Sequence, residues 1–142
     1  MFHFSRSIFR ELASEVMDDG RRNSVHNRQL FLQACERAMQ RLADDPRYFS
    51  RPARSLFSEV RMFFPIHSQL KVLRVIERHM ILAKAFIEER QRAGLNLDGT
   101  PMSCHATTRK GSACQRSPQP GSRYCPSHQH LLETELMAAQ AA

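Results

Sequence analysis

Apolar residues recur along this chain at intervals of three and four, the period of a helix with one buried face. Phe4, Ile8, Leu12 and Val16 predict a first helix over about 3–18, closed by the breaker Asp18-Asp19-Gly20. A second begins at Asn23 or Ser24 as N-cap, places Phe31, Cys35, Ala38 and Leu42 on one face, and ends at Pro46. Pro52 suits the first turn of a third helix carrying Ala53, Leu56, Phe57, Val60 and Phe63 or Phe64, and Pro65 imposes a kink because it disfavours helical geometry at Phe64. Ile66, Leu70, Leu73, Ile76, Met80, Ala83 and Ile87 predict the longest helix, over about 66–93, with Gly94 as its C-terminal stop.

No segment alternates long enough to demand a sheet, so the expected fold class is mainly α. The stretch LNLDGT from Leu95 to Thr100 reads as a short linker. It divides the chain into a helical domain over 1–97, whose four apolar stripes close one core, and a C-terminal module over 98–142. A terminal helix over about 127–140 carries Leu131, Leu132, Leu136 and Met137 on an apolar side, placed to pack on the module or on the main domain.

Composition narrows the function class. With 142 residues the chain has room for one ordinary domain and a small appendage, and a large enzyme fold is not expected. No apolar run approaches the ~18 residues of a membrane span, and charges at Arg6, Arg10 and Glu11 interrupt any secretory leader, so the cytoplasm is the expected compartment. The formal net charge is +7, and residues 1–97 hold most of the excess, with 17 Lys or Arg against 11 Asp or Glu. Such a balance favours phosphate or an acidic protein as partner.

Three of the four cysteines fall in the segment SCHATTRKGSACQRSPQPGSRYCPSHQH, together with three of the seven histidines. Cys104, Cys114, Cys125 and His128 offer three thiolates and one imidazole, the donor set of a closed structural zinc site. Cys125 and His128 are three residues apart after a turn-initiating Pro126, so both can reach one ion. Lys110-Gly111 would turn the chain between Cys104 and Cys114, and Pro118, Pro120 and Gly121 would turn it again. His105 and His130 adjoin the set and remain alternative ligands. Disulfides are a poor alternative, because a cytosolic compartment is reducing and Cys35 falls on a helical core stripe.

The segment Cys104-His-Ala-Thr-Thr-Arg-Lys-Gly111, then Cys114, then Gly121-Ser-Arg-Tyr-Cys125 and His128, resembles small accessory zinc segments of the pattern C-x3-T-x2-G-x2-C followed by Y-C-x2-H. Some of those are described as potential DNA-binding segments in chromatin-associated proteins. The resemblance implies the ligands Cys104, Cys114, Cys125 and His128 and carries no biological role with it. The block from Pro52 through Pro65 resembles uncharacterised helical proteins of GC-rich bacteria, which implies no activity.

Catalysis is not expected. A catalytic zinc keeps an open position, whereas four soft or imidazole donors are present here and no carboxylate lies between residues 99 and 132. The deaminase pattern, a phosphate-binding glycine loop and a Glu-x2-His metal pair are all missing. Two basic sets stand out in the helical domain: Lys71, Arg74 and Arg78 on a flank of the longest helix, and Arg47, Arg51, Arg54 and Arg61 around the third. Arg109 and Lys110 add a third set in the zinc segment. The expected function is a zinc-stabilised accessory protein of nucleic acid or of the transcription or translation machinery, with Arg51, Arg54, Lys71, Arg74, Arg78, Arg109 and Lys110 contacting phosphate. The rival expectation is a protein-interaction adaptor that docks through the zinc module and the aromatic block Phe57, Phe63 and Phe64.

Overall fold

A computed structural model describes residues 1–17, 23–46 and 49–140. The described residues form five α-helices: α1 (Phe2–Leu12), α2 (Asn23–Asp44), α3 (Pro52–Val60), α4 (Gln69–Arg92) and α5 (His130–Gln140). Among the described residues no strand forms, and only the isolated bridges Leu95 to Pro101 and Thr107 to Ala113 pair backbone in β fashion. The chain divides into two compact units, Met1–Phe86 and Ile87–Ala142. No helix is long and apolar enough to cross a membrane.

The core of the first unit follows the predicted stripes closely for α1, α2 and α3. Ile8, Leu12 and Val16 are buried, and the helix tightens into a 3-10 turn over Ala13–Glu15 where a continuous helix to 18 was expected. The Asp18–Gly20 breaker, Arg47 and the side chains of Asn23 and Ser24 lie outside the described residues. Phe31, Cys35, Ala38 and Leu42 are buried on α2, joined by Ala34 and Met39. On α3 the buried set is Pro52, Leu56 and Val60, and Phe64 continues it at the same spacing of four. Phe64 is extended, with φ −121° and ψ 140°, as the residue before Pro65 must be, and a 3-10 turn over Ile66–Ser68 leads into α4.

Aromatic packing ties these elements together. The Phe31 ring meets Phe64 edge to face, with centroids 5.1 Å apart, and lies 5.8 Å from Phe9. The two buried hydroxyls are satisfied locally, Ser5 donating to the Phe2 carbonyl at 2.9 Å and Ser68 to the Pro65 carbonyl at 3.1 Å.

The stripe of α4 differs from the expected one. Ile76, Met80, Ala83 and Ile87 are buried as expected and Val72 and Val75 join them, whereas Leu70 is exposed and Leu73 half-buried. The helix begins only at Gln69, and at ~100° per residue Leu70 turns well away from the face centred on Ile76. Ile66, on the preceding turn, is 88% exposed.

Outside this core, α1 and α4 are tied by charge. Glu11 accepts from Arg78 Nη2 at 2.5 and 2.6 Å and lies 3.0 Å from His79 Nε2, while Lys71 Nζ donates to Glu15 at 2.7 Å. Lys71 and Arg78, two of the expected phosphate contacts, therefore carry carboxylate partners. The His79 hydrogen bond and then the Arg78 guanidinium hold the Glu11 carboxyl below its ordinary value of 4.5.

Two predictions follow from these contacts. Phe31→Ala removes the ring that joins α1, α2 and the α3–α4 corner and should cost ~3–5 kcal/mol, seen as a lower urea midpoint. Glu11→Gln should cost up to ~1 kcal/mol at pH 7, because the pair is largely exposed. A carboxylate held below its ordinary value stabilises above that value and loses the effect as pH falls through the lowered one, so the gap between wild type and Glu11→Gln should close below about pH 4. Thermal unfolding at both pH values measures it.

Candidate metal centre

The second unit starts with a helix stop. Leu95 N–H donates to the Arg90 carbonyl at 2.9 Å and Gly94 N–H to the Gln91 carbonyl at 3.1 Å, the paired bonds of a Schellman motif, with Gly94 at φ +67°. The predicted linker is an ordered loop. Asn96 N–H donates to the Thr100 carbonyl at 2.8 Å, Met102 N–H to the Gly94 carbonyl at 2.8 Å, and Asp98 accepts from the Thr100 N–H and hydroxyl.

Beyond it the chain makes a short hairpin. Thr108 to Gly111 form the turn, with the Gly111 N–H on the Thr108 carbonyl at 2.9 Å and Gly111 at φ +80°, as Lys110-Gly111 predicts. Thr108 donates to Ser112, Cys114 to Ala106 and Cys104 to Arg116, each backbone to backbone. In that register Cys104 and Cys114 sit diagonally opposed, and because alternate residues share a face both thiols point to the same side. A second turn has Pro120 and Gly121 at its centre, Gly121 at φ +77° and the Ser122 N–H on the Gln119 carbonyl at 3.0 Å. The third segment then returns alongside the first, with His105 N–H on the Arg123 carbonyl at 3.0 Å. Pro126 opens a 3-10 turn over Pro126–His128, which swings His128 back towards Cys125.

The result is a four-donor cluster. The Sγ atoms of Cys104, Cys114 and Cys125 and one ring nitrogen of His128 all lie within 4.8 Å of one another, the cysteines buried and the histidine half-buried. His128 presents Nδ1, at 3.5 Å from Cys104 Sγ and 3.4 Å from Cys125 Sγ. Bonds of ~2.3 Å to sulfur and ~2.0–2.1 Å to nitrogen around a tetrahedral centre put sulfur and nitrogen about 3.6 Å apart, close to the two sulfur–nitrogen distances found here. All four cysteines are free thiols. His105 and His130, the alternative ligands, are both exposed and outside the cluster, the His130 ring lying 6.3 Å from that of His128.

The backbone prepares the sulfurs for negative charge. Burial pushes the Cys104 thiol up, but N–H groups of Cys125 and Ala106, with His128 and the Cys125 thiol, outweigh it and bring Cys104 down to about 6. The Arg116 N–H acts on Cys114 in the same sense, yet desolvation and the neighbouring thiols of Cys104 and Cys125 leave that thiol raised. Each of the two hairpin cysteines thus takes an N–H from the residue two positions on. These donors and the side-chain brace Arg116 Nη1 to Ser127 Oγ, at 2.8 Å, are sites that the motif spacing does not reveal. Around the thiols a small core forms from Ala106 and Tyr124, with Leu131 and Leu132 of α5 packed against it. Tyr124 donates to Glu135 of α5 at 2.5 Å. Leu136 and Met137, expected on the same apolar side, are 55% and 71% exposed, so the apolar contact of α5 with the cluster comes from Leu131 and Leu132.

The remaining predicted residues are spread over the surface. Arg109 and Lys110 are exposed at the hairpin turn, Arg51 and Arg54 at the start of α3, and Arg74 on α4. Cys35 is fully buried in the first unit, where desolvation pushes its thiol far up, and it takes no part in the cluster. Of the aromatic block, Phe64 is buried and Phe57 and Phe63 are half-buried, so these rings are packing residues before they are anchors for a partner. No family model, curated protein or solved structure matches the chain.

Metal loading at pH 7 should release at least the Cys114 proton, since a ligand must be a thiolate and this thiol is the raised one. Calorimetry of zinc titrations in two buffers of different ionisation enthalpy would show it, and affinity should fall as pH is lowered through about 6, where Cys104 takes up its proton.

Proposed function

We propose that the protein is a zinc-stabilised, basic accessory protein that associates with nucleic acid, alone or within the transcription or translation machinery, in the cytoplasm. Cys104, Cys114, Cys125 and His128 would hold one Zn²⁺, which supplies the folding free energy that a segment with so few buried apolar residues lacks. Four protein donors fill a tetrahedral ion, so the role is structural and the protein is not an enzyme. Three thiolates and a divalent ion leave the site at roughly −1, which the neighbouring Arg and Lys residues more than offset.

The observation that carries the nucleic-acid reading is the hairpin turn. Arg109 and Lys110 stand exposed at its tip, and no acid occurs between residues 99 and 132 to neutralise them. A turn braced by Gly111 and by the Thr108–Ser112 hydroxyl contact of 2.8 Å presents both cations on a fixed backbone. Arg51 and Arg54 line a surface depression with Pro52 and Ala53 and provide further phosphate contacts, as does Arg74. Lys71 and Arg78 contribute less, because phosphate must compete with Glu15 and Glu11 for them.

Removing the metal with a chelator, or Cys114→Ser, should abolish zinc retention in native mass spectrometry and unfold residues 104–132, while the helix signal of α1 to α3 persists. Reversal of Arg109 and Lys110 to Glu should weaken binding of mixed-sequence nucleic acid and lower the slope of log affinity against log salt by about one unit per lost contact. Zinc retention in that double variant shows that the effect is electrostatic. Wild-type protein that binds no nucleic acid even at low salt would sink the reading.

A further inference from the structure

Four apolar side chains are left in water around one corner of the first unit, where α3 gives way to α4. Met17 is 42% exposed, Met62 71%, Ile66 88% and Leu70 59%. Hydrogen bonds make the corner a single surface. Gln69 Nε2 donates to the carbonyls of Arg61 at 3.2 Å and Phe64 at 3.3 Å, and Met17 N–H donates to the Phe63 carbonyl at 2.9 Å. Met62, Ile66 and Leu70 therefore follow one another at intervals of four along a stitched turn, to which Met17 is tied through its N–H. Phe64 is buried beneath it and Phe63 half-buried. Single exposed apolar residues are ordinary, whereas four gathered on one hydrogen-bonded turn mark a contact surface.

The rim of this corner is positive. Arg61, His67 and Arg74 are exposed, Lys71 shares its charge with Glu15, and no acid occurs from Val60 to Ile76. Glu59, just before, is held by Arg37. Among the described residues neither Arg61 nor Arg74 has a carboxylate partner.

We propose that this corner docks an acidic amphipathic helix of a protein partner. Apolar side chains at helical spacing on that helix would cover Met62, Ile66 and Leu70, while flanking carboxylates meet Arg61 and Arg74. Two methionines on the surface suit such an occupant, because their unbranched side chains adapt to different apolar shapes. Nucleic acid fits less well: phosphates would use the two arginines and leave the apolar group in water. A second copy of the chain fits less well too, because a two-fold contact would set the same positive rim against itself. Arg74 is shared with the nucleic-acid reading but the apolar group is not, so loss of peptide binding in Ile66→Asp tests this proposal without testing that reading.

The test uses the full chain with zinc, followed by backbone NMR during titration with a synthetic helix-forming peptide of Leu and Glu at amphipathic spacing. Shifts should concentrate at Met17 and residues 61–74. A peptide with Lys in place of Glu should bind far more weakly. Ile66→Asp, and separately Arg61→Glu with Arg74→Glu, should each weaken binding at least ~tenfold, with helix content unchanged because these side chains are exposed. Leu70→Ser gives the same reading should Ile66→Asp lose helix. The proposal is overturned by equal binding of the Lys peptide, by shifts located elsewhere, by binding of mixed-sequence nucleic acid that Ile66→Asp abolishes, or by self-association that Ile66→Asp abolishes.

Discussion

Three thiols and an imidazole crowded within 4.8 Å of one another set the terms for the whole C-terminal unit. Around them only Ala106 and Tyr124 are buried as additional core, with Leu131 and Leu132 half-covered at one side. So small an apolar group cannot offset the ordering of two turns and a hairpin, each residue of which costs ~1–2 kcal/mol in backbone entropy. Bringing thiolates together without a cation would add repulsion to that deficit. The bridges, the glycine turns and the N–H donors at sulfur all become consistent once a divalent ion supplies the missing term, because each shortens the search for one ligand geometry.

The helical unit solves the opposite problem. It has apolar surface in abundance, and its stripes on α1, α2 and α3 converge on Phe31 and Phe64. Charge there does a secondary job, pinning the outer side of α1 to α4 through Glu11 and Glu15. Cations consumed in this way belong to the fold's own electrostatics, whereas Arg109 and Lys110 of the hairpin have no such partner among the described residues. Sequence proximity of Lys and Arg residues cannot distinguish the two uses, since the carboxylates that claim Lys71 and Arg78 lie more than fifty positions away in the chain.

Where the local rules agree with one another, the sequence was readable. Pro52 at a helix start, an extended residue before Pro65, Gly94 at a helix stop and Gly111 in the hairpin turn each have one comfortable backbone solution, and the structure adopts it. The donor cluster was legible for the same reason, thiols and imidazole at chelating spacing being rare by accident. The stripe of α4 was legible in part: Ile76, Met80, Ala83 and Ile87 are buried as expected, and Ile66 and Leu70 are not. At ~100° per residue Val72, Leu73 and Val75 lie within about 100° of Ile76 and Leu70 about 120° away, so periodicity does not fix where the edge of the stripe falls. That edge is set by packing against elements distant in sequence.

The position of that edge has a physical consequence. At ~100° per residue Leu70 and Leu82 lie about 120° from Ile76 and Ile81 about 140° from it, and all three remain exposed. At ~25 cal/mol per Å² such exposure is costly enough that a sequence optimised solely for its own folding would carry polar side chains there. At the α3–α4 corner the exposed residues are joined by hydrogen bonds into one rigid surface and rimmed by Arg61 and Arg74, whereas the farther ones lie among Lys84, Glu77 and Glu88 of both signs. Uniform positive charge beside apolar surface selects a partner, and mixed charge beside it favours solvent. Of α4's exposed apolar residues, Leu70 is the one that the proposed docking helix would cover, whereas Ile81 and Leu82 stand among charges of both signs.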